Sequence, residues 1–119
     1  MKAYFSGEVE SKWLPDGRRM EILKMLVYTD SNGKKWVVPG KTIVDGASIP
    51  RFLWHIFGSP FVGKYRRATV IHDHYCQTHD RPSQNVHKVF FEAMRCDGVN
   101  IAKAKLMYLG IKLFGSDWK

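Results

Sequence analysis

The 119-residue chain has only two cysteines, no run of about eighteen apolar residues and no block of roughly five like charges. Without the long apolar run no transmembrane helix is expected, and the opening MKAYFSGEVE lacks the apolar core of a signal peptide. Two cysteines make no disulfide scaffold. Reduced thiols at Cys76 and Cys96 are expected in a cytoplasmic protein, and a single bridge between two predicted helices is the alternative for an exported one. The chain has no internal repeat, low-complexity tract or Ser/Gly linker, and its length suits one domain that buries roughly two thirds of its unfolded surface. HExxH and GxSxG are both missing, which removes the regular zinc-hydrolase helix and the α/β-hydrolase elbow. A ladder of basic and aromatic residues of the single-strand-binding kind is missing too.

What is present is a hydrophobic content of 45% and a net charge of +8. The first is well above that of disordered chains. The second is spread over Arg18-Arg19, Lys34-Lys35, Lys64, Arg66-Arg67, Lys103, Lys105 and Lys112. It reads either as a solvated basic surface or as a site for a polyanion, be it nucleic acid, anionic lipid or an acidic protein surface.

The patterning predicts an α+β domain, an N-terminal antiparallel β-meander packed against about three C-terminal helices. Residues 1–44 are mainly β, 45–60 form a loop with a short helical turn, and 61–119 are helical. Tyr4 to Leu14 alternates loosely, Pro15 to Gly17 turns, and Met20 to Tyr28 is an extended apolar run. Asn32-Gly33 is a strong hairpin signal, with Trp36 to Val38 as the returning strand and Lys41 to Val44 as a short further one. Phe52 to Phe57 is a short apolar helical turn after Pro50, closed by Gly58 to Pro60. From Phe61 to Thr78 the spacing of Tyr65, Ala68, Thr69, His72 and Cys76 predicts a helix with His72 on or beside its buried stripe. Ser83 is read as the N-cap of a helix carrying Val86, Val89, Phe90, Ala93 and Met94 and stopping at Asp97-Gly98. Asn100 caps a last helix through Ile101, Ala104, Met107, Tyr108 and Ile111 to Gly115.

Two motifs carry the chemistry: DGASIPR at Asp45 to Arg51, and HDHYC at His72 to Cys76. An imidazole beside a carboxylate inside an apolar helical pattern is a site candidate, because His works as base or ligand near neutral pH and a carboxylate fixes its tautomer. Arg51, Trp54 and Tyr75 are the candidate ligand-binding side chains beside it. His74 and His79 read as surface or helix-end residues, both cysteines as small core residues, and Trp13, Trp36, Trp54 and Trp118 as core or rim anchors.

DGASIPR followed by Trp54, then His72-Asp73 with Tyr75, then FxxAMxxxGV at Phe90, Ala93, Met94, Gly98 and Val99, then Phe114-Gly115 and Trp118, resembles small phage and prophage proteins grouped as domain-of-unknown-function family 1353. The resemblance runs from about Pro39 to Trp118. It implies a viral or prophage origin, with a place in the infected host's cytoplasm or in the virion and a phage structural or host protein as partner. It implies no activity. Val44 stands where the family tends to have Thr, and His87 where it tends to have Asp. An imidazole replaces a carboxylate far better on a transition metal such as zinc than on calcium. A fainter likeness in layout links His72 as base and Asp73 as metal ligand to secreted phospholipases A2, without their calcium loop or dense disulfides.

Three chemistries fit these residues. In one, His72, Asp73, His87 and a further Asp45 converge on a divalent metal lying between helices, since neighbouring helix residues point about 100° apart. In another, His72 is a metal-free general base oriented by Asp45 or Asp73, with Ser48 as nucleophile or hydrogen-bond donor. In the third, His72 hydrogen-bonds to the DGAS loop and Asp45 caps a turn or pairs with Arg51, so the constellation is a buried network that fixes loop against helix. The functional expectations are accordingly two: a small phage-encoded hydrolase-like protein acting in lysis or host modification, or a non-enzymatic virion, tail-assembly or host-factor-binding protein.

Overall fold

A computed structural model describes residues 2–58, 63–115 and 118. The strands are β1 (Tyr4–Ser6), β2 (Ser11–Trp13), β3 (Met20–Ile22), β4 (Leu26–Thr29), β5 (Lys35–Val38) and β6 (Ile43–Val44). Four helices follow: α1 (Arg51–Phe57), α2 (Arg66–Thr78), α3 (Ser83–Cys96) and α4 (Ile101–Phe114), with a 3₁₀ turn at Gly63–Tyr65 leading into α2. The class is α+β as expected. The count of three helices is approximate, because the turn after Pro50 is a helix in its own right.

The strands do not form one meander. They make two antiparallel three-stranded sheets, ordered β1-β4-β5 and β2-β3-β6. Tyr4 to Leu14 is not a single strand: Gly7 takes a left-handed φ of 92°, and the chain leaves one sheet for the other. Met20 to Tyr28 is split as well. Leu23 donates its backbone N–H to Glu10 O at 2.7 Å and Lys41 donates to Ile22 O at 2.6 Å, which ties β3 between β2 and β6. Leu23 and Met25 are left exposed while the chain crosses to β4.

The Asn32-Gly33 hairpin forms between β4 and β5, with Thr29 opposite Lys35. Asp30 organises it, its carboxylate accepting from the backbone N–H groups of Asn32 and Lys34, both at 2.9 Å, and from Trp36 Nε1 at 3.0 Å. Burial opposes ionisation of Asp30, but these donors outweigh it and hold the carboxyl below its ordinary pKa.

The helical stripes pack as the periodicity requires, with Ala68, Val70, Ile71, Val86, Phe90, Ala93, Met94, Ala104 and Ile111 fully buried against Tyr28, Val38 and Val44. Asn100 caps α4, its side chain accepting from Ala102 N at 2.8 Å. Ser83 does not cap α3. It is the first helical residue, and its hydroxyl donates to Trp118 O at 2.8 Å, tying Trp118 to the start of α3. The expected start of α2 at Phe61 and part of the Gly58 to Pro60 break lie outside the described residues. Gly110 is where α1 meets α4: a Cβ there would lie 2.8 Å from Leu53 Cδ1, so any larger residue would require the Leu53 side chain to shift.

Candidate functional site

The loop between β6 and α1 carries the first motif. Asp45 Oδ1 accepts from Ala47 N at 2.9 Å, and Gly46 takes a φ of 75°, closing a tight turn that presents Asp45 N–H and Ser48 N–H to α2. On α2, His72 and Asp73 are both buried, and their side chains part by the helical step. Asp73 accepts from Asp45 N at 3.1 Å, Ser48 N at 3.2 Å and Gln77 Nε2 at 3.1 Å. Burial raises its pKa, opposed by the hydrogen bonds from Ser48 and Asp45.

His72 bridges the loop and α3. Its Nδ1 lies 3.1 Å from Ser48 Oγ, its Nε2 lies 2.9 Å from His87 Nδ1, and Cys76 Sγ sits 3.6–3.7 Å from the two ring nitrogens. Phe90 closes another side, with ring centroids 4.8 Å apart. Burial, with a smaller contribution from His87, pushes the His72 pKa down to about 3, so the ring is neutral at physiological pH. A neutral imidazole has one N–H. If Ser48 O–H donates to Nδ1, Nε2–H donates to His87 Nδ1; in the other tautomer both directions reverse. Burial likewise lifts the Cys76 thiol to about 12, which makes it a poor nucleophile or ligand.

The structure brings together Ser48, His72 and His87, and sets Asp73 against the backbone of Asp45 and Ser48. The two sets meet at Ser48, whose hydroxyl touches His72 Nδ1 and also hydrogen-bonds the Asp73 carboxyl. Asp73 turns to the loop, so His72, Asp73 and His87 do not converge on an ion. Among the described residues no three His, Cys, Asp or Glu side chains cluster as a metal set. Among the described residues no carboxylate bonds the His72 ring directly: Asp45 is engaged with Ala47 N, Asp73 with the loop and Gln77. Asp45 forms no ion pair with Arg51 among the described residues; the Arg51 guanidinium lies 4.7 Å over the Trp54 ring, and Trp54 Nε1 donates to Ile49 O at 3.1 Å. Tyr75 is buried in the core. Its hydroxyl accepts from Val37 N at 2.9 Å and its ring packs edge-on against Trp36.

Other expectations meet mixed outcomes. Both cysteines are free. His74 is half-buried edge-on to Tyr75, and exposed His79 ends α2 with a left-handed φ of 57° while stacking on Trp118 at 4.2 Å. Trp13 is exposed at 57% and is a rim residue at most. Sequence reasoning missed Gln77, although its position one turn beyond Asp73 was a usable signal. It also missed Arg67, which joins the chain start to the end of α3 by donating to Gly7 O at 3.0 Å and pairing with Glu8 and Asp97. Beyond His87 a cleft of about 890 Å³ opens, walled by Gln84, Lys88, Lys112 and Trp118.

These features define a small α+β domain with a buried pair of histidines between a loop and two helices. The chain belongs to the family described as "Protein of unknown function (DUF1353)", whose model matches residues 20–111. The match begins at Met20, earlier than the motifs alone suggested, and stops short of Trp118. The chain is 48% identical over 98 residues to the uncharacterized protein y4jT of Sinorhizobium fredii (strain NBRC 101917 / NGR234), a stretch covering 82% of this chain and 29% of that protein. It is 38% identical over 115 residues to the uncharacterized protein y4iH of the same strain, covering 96% of this chain and 48% of that one. The chain therefore spans about half or less of these relatives' length. No solved structure matches it, so the phospholipase-like layout finds no support there.

Proposed function

We propose that this chain is a non-enzymatic binding or assembly module whose histidine and aspartate contacts hold the Asp45–Arg51 loop against α2 and α3. The observation that carries this reading is the complete burial of His72 with no carboxylate among the described residues hydrogen-bonded to its ring. A general base must carry a proton after it acts, and an imidazolium here has only a hydroxyl, a thiol and a second imidazole for company. The relatives support a module, since in both the matching stretch is only part of a longer chain. The setting we propose is that of the resemblance: a virion, tail-assembly or host-factor-binding component of a phage or prophage, in the virion or the infected cytoplasm.

A hydrolase-like reading rests on one observation, the 3.1 Å approach of Ser48 Oγ to His72 Nδ1. The two separate in a single experiment. On the binding reading, His72→Ala lowers unfolding free energy by roughly 2–4 kcal/mol, through a cavity and the loss of the hydrogen bonds to Ser48 and His87, and a fluorophosphonate probe leaves Ser48 unmodified by intact-mass measurement. Stoichiometric labelling of Ser48, lost in a folded His72→Ala protein, overturns it in favour of the hydrolase.

A further inference from the structure

The α4 helix is apolar on two sides, and only one of them meets the core. Ala104, Met107 and Ile111 are buried, while Leu106, Leu109 and Leu113 are 56%, 49% and 70% exposed. At 3.6 residues per turn the three leucines fall within a sector of about 60° on the side away from the core residues. The ridge continues onto α1. Phe114, 69% exposed, packs edge-on against Phe52 at 5.4 Å, and Ile56 of the same short helix is 65% exposed. An apolar ridge of this kind on a surface helix marks an interaction face.

Charge selects the occupant. By the same helical geometry Lys105 and Lys112 border the leucine ridge on one side and Lys103 on the other. The α1 and α4 sequences, RFLWHIF and IAKAKLMYLGIKLF, contain no acidic residue. A second copy docking here would set lysines against lysines with no carboxylate from either helix. An anionic partner with an apolar layer beneath its charge satisfies both halves of the surface at once. No helix among the described residues is long and apolar enough to cross a membrane, so this face would lie on a bilayer and not span it.

We infer that the α4 ridge with Phe52 and Ile56 is a docking face for an anionic lipid surface, leucines and aromatics entering the headgroup boundary and the flanking lysines holding lipid phosphates. This names a partner class for the binding module proposed above and rests on that reading. The two fail separately, since Ser48 labelling is read without vesicles and vesicle binding is read without the His72 variants.

The test is co-sedimentation of the full chain with vesicles of phosphatidylcholine alone and of equimolar phosphatidylcholine and phosphatidylglycerol. The expected result is binding to the anionic vesicles at least roughly tenfold stronger than to the neutral ones, weakening as salt rises. Leu109→Ser with Leu113→Ser, and separately Lys103→Gln with Lys105→Gln and Lys112→Gln, should each weaken it about tenfold while leaving the thermal melt unchanged, because the altered side chains are exposed. Equal binding to both vesicles, no binding at low salt, or leucine variants that bind like the wild type overturns the assignment. A dimer in sedimentation equilibrium that the leucine variants dissociate, without vesicle binding, assigns the face to a second copy instead. Capture of an acidic amphipathic helical peptide in place of either vesicle assigns it to a protein partner.

Discussion

His72 and Asp73 are neighbours on one helix, equally buried, and they do opposite things. Asp73 faces the loop and gathers N–H donors: two backbone groups that would otherwise be orphaned and the Gln77 amide. His72 faces a hydroxyl, a thiol and another imidazole, and stays neutral. The difference teaches what each environment selects. A carboxylate survives burial where donors converge, whereas an imidazole survives burial by giving up its charge. Sequence adjacency suggested a cooperating pair, and the helical step of about 100° points the two side chains apart, so that they meet through Ser48.

The largest expected effect tests the Asp73 half. Asp73→Ala strands Asp45 N–H and Ser48 N–H, and urea unfolding should show a loss of roughly 3–5 kcal/mol, exceeding that of His72→Ala. A smaller loss than His72→Ala breaks the comparison, because the loop would then be held chiefly by the histidine.

The second prediction uses pH, where the two residues have opposite signs. The His72 pKa falls from 6.5 unfolded to about 3 folded, so between these values the unfolded chain binds a proton that the folded chain refuses. Stability is then fully present above the unfolded value and falls as pH drops towards the folded one, by up to about 1.4 kcal/mol per pH unit. Asp73 has a raised folded pKa, so the folded chain takes up this proton first, and the burial penalty eases as pH falls through that value towards 3.8. Denaturant unfolding across the acid range should therefore give a shallower loss in His72→Gln and a steeper one in Asp73→Asn than in the wild type. Identical slopes in all three proteins remove the pH distinction between the neighbours.

The smallest effect sharpens the division of labour within one residue. Ser48 gives its backbone N–H to Asp73 and places its hydroxyl between Asp73 and His72. Ser48→Ala keeps the backbone bond and loses those of the hydroxyl, so it should cost about 1 kcal/mol by thermal unfolding, far less than Asp73→Ala.

The helical half was largely legible because its signal is local. Val86, Val89, Phe90, Ala93 and Met94 repeat at the helical period, and all five are buried in α3. Asn100 could be read as a cap from its position alone, and Asn32-Gly33 as a turn from the φ angles it tolerates. The β half was legible in class but not in pairing. Whether Met20 pairs with Trp13 and Val44, or Leu26 with Val38, depends on contacts far apart in sequence. Gly7 lies inside the stretch that reads as one strand, yet it is where the chain changes sheets. Ser83 failed as a cap because Trp118, distant in sequence, claims its hydroxyl.

By itself the sequence determined the α+β class, the helical stripes, the hairpin turn, the two motifs that meet and the family the chain belongs to. Each of these follows from residue type and short-range spacing, which set backbone preference and which face is apolar. Only the tertiary structure decided the division of the strands into two sheets, the turn of Asp73 away from His72, and the exposure of the α4 leucines. Those depend on which surfaces of distant segments remain for one another once the core has formed. A periodic stripe of leucines reads the same whether the protein buries it or leaves it for a partner.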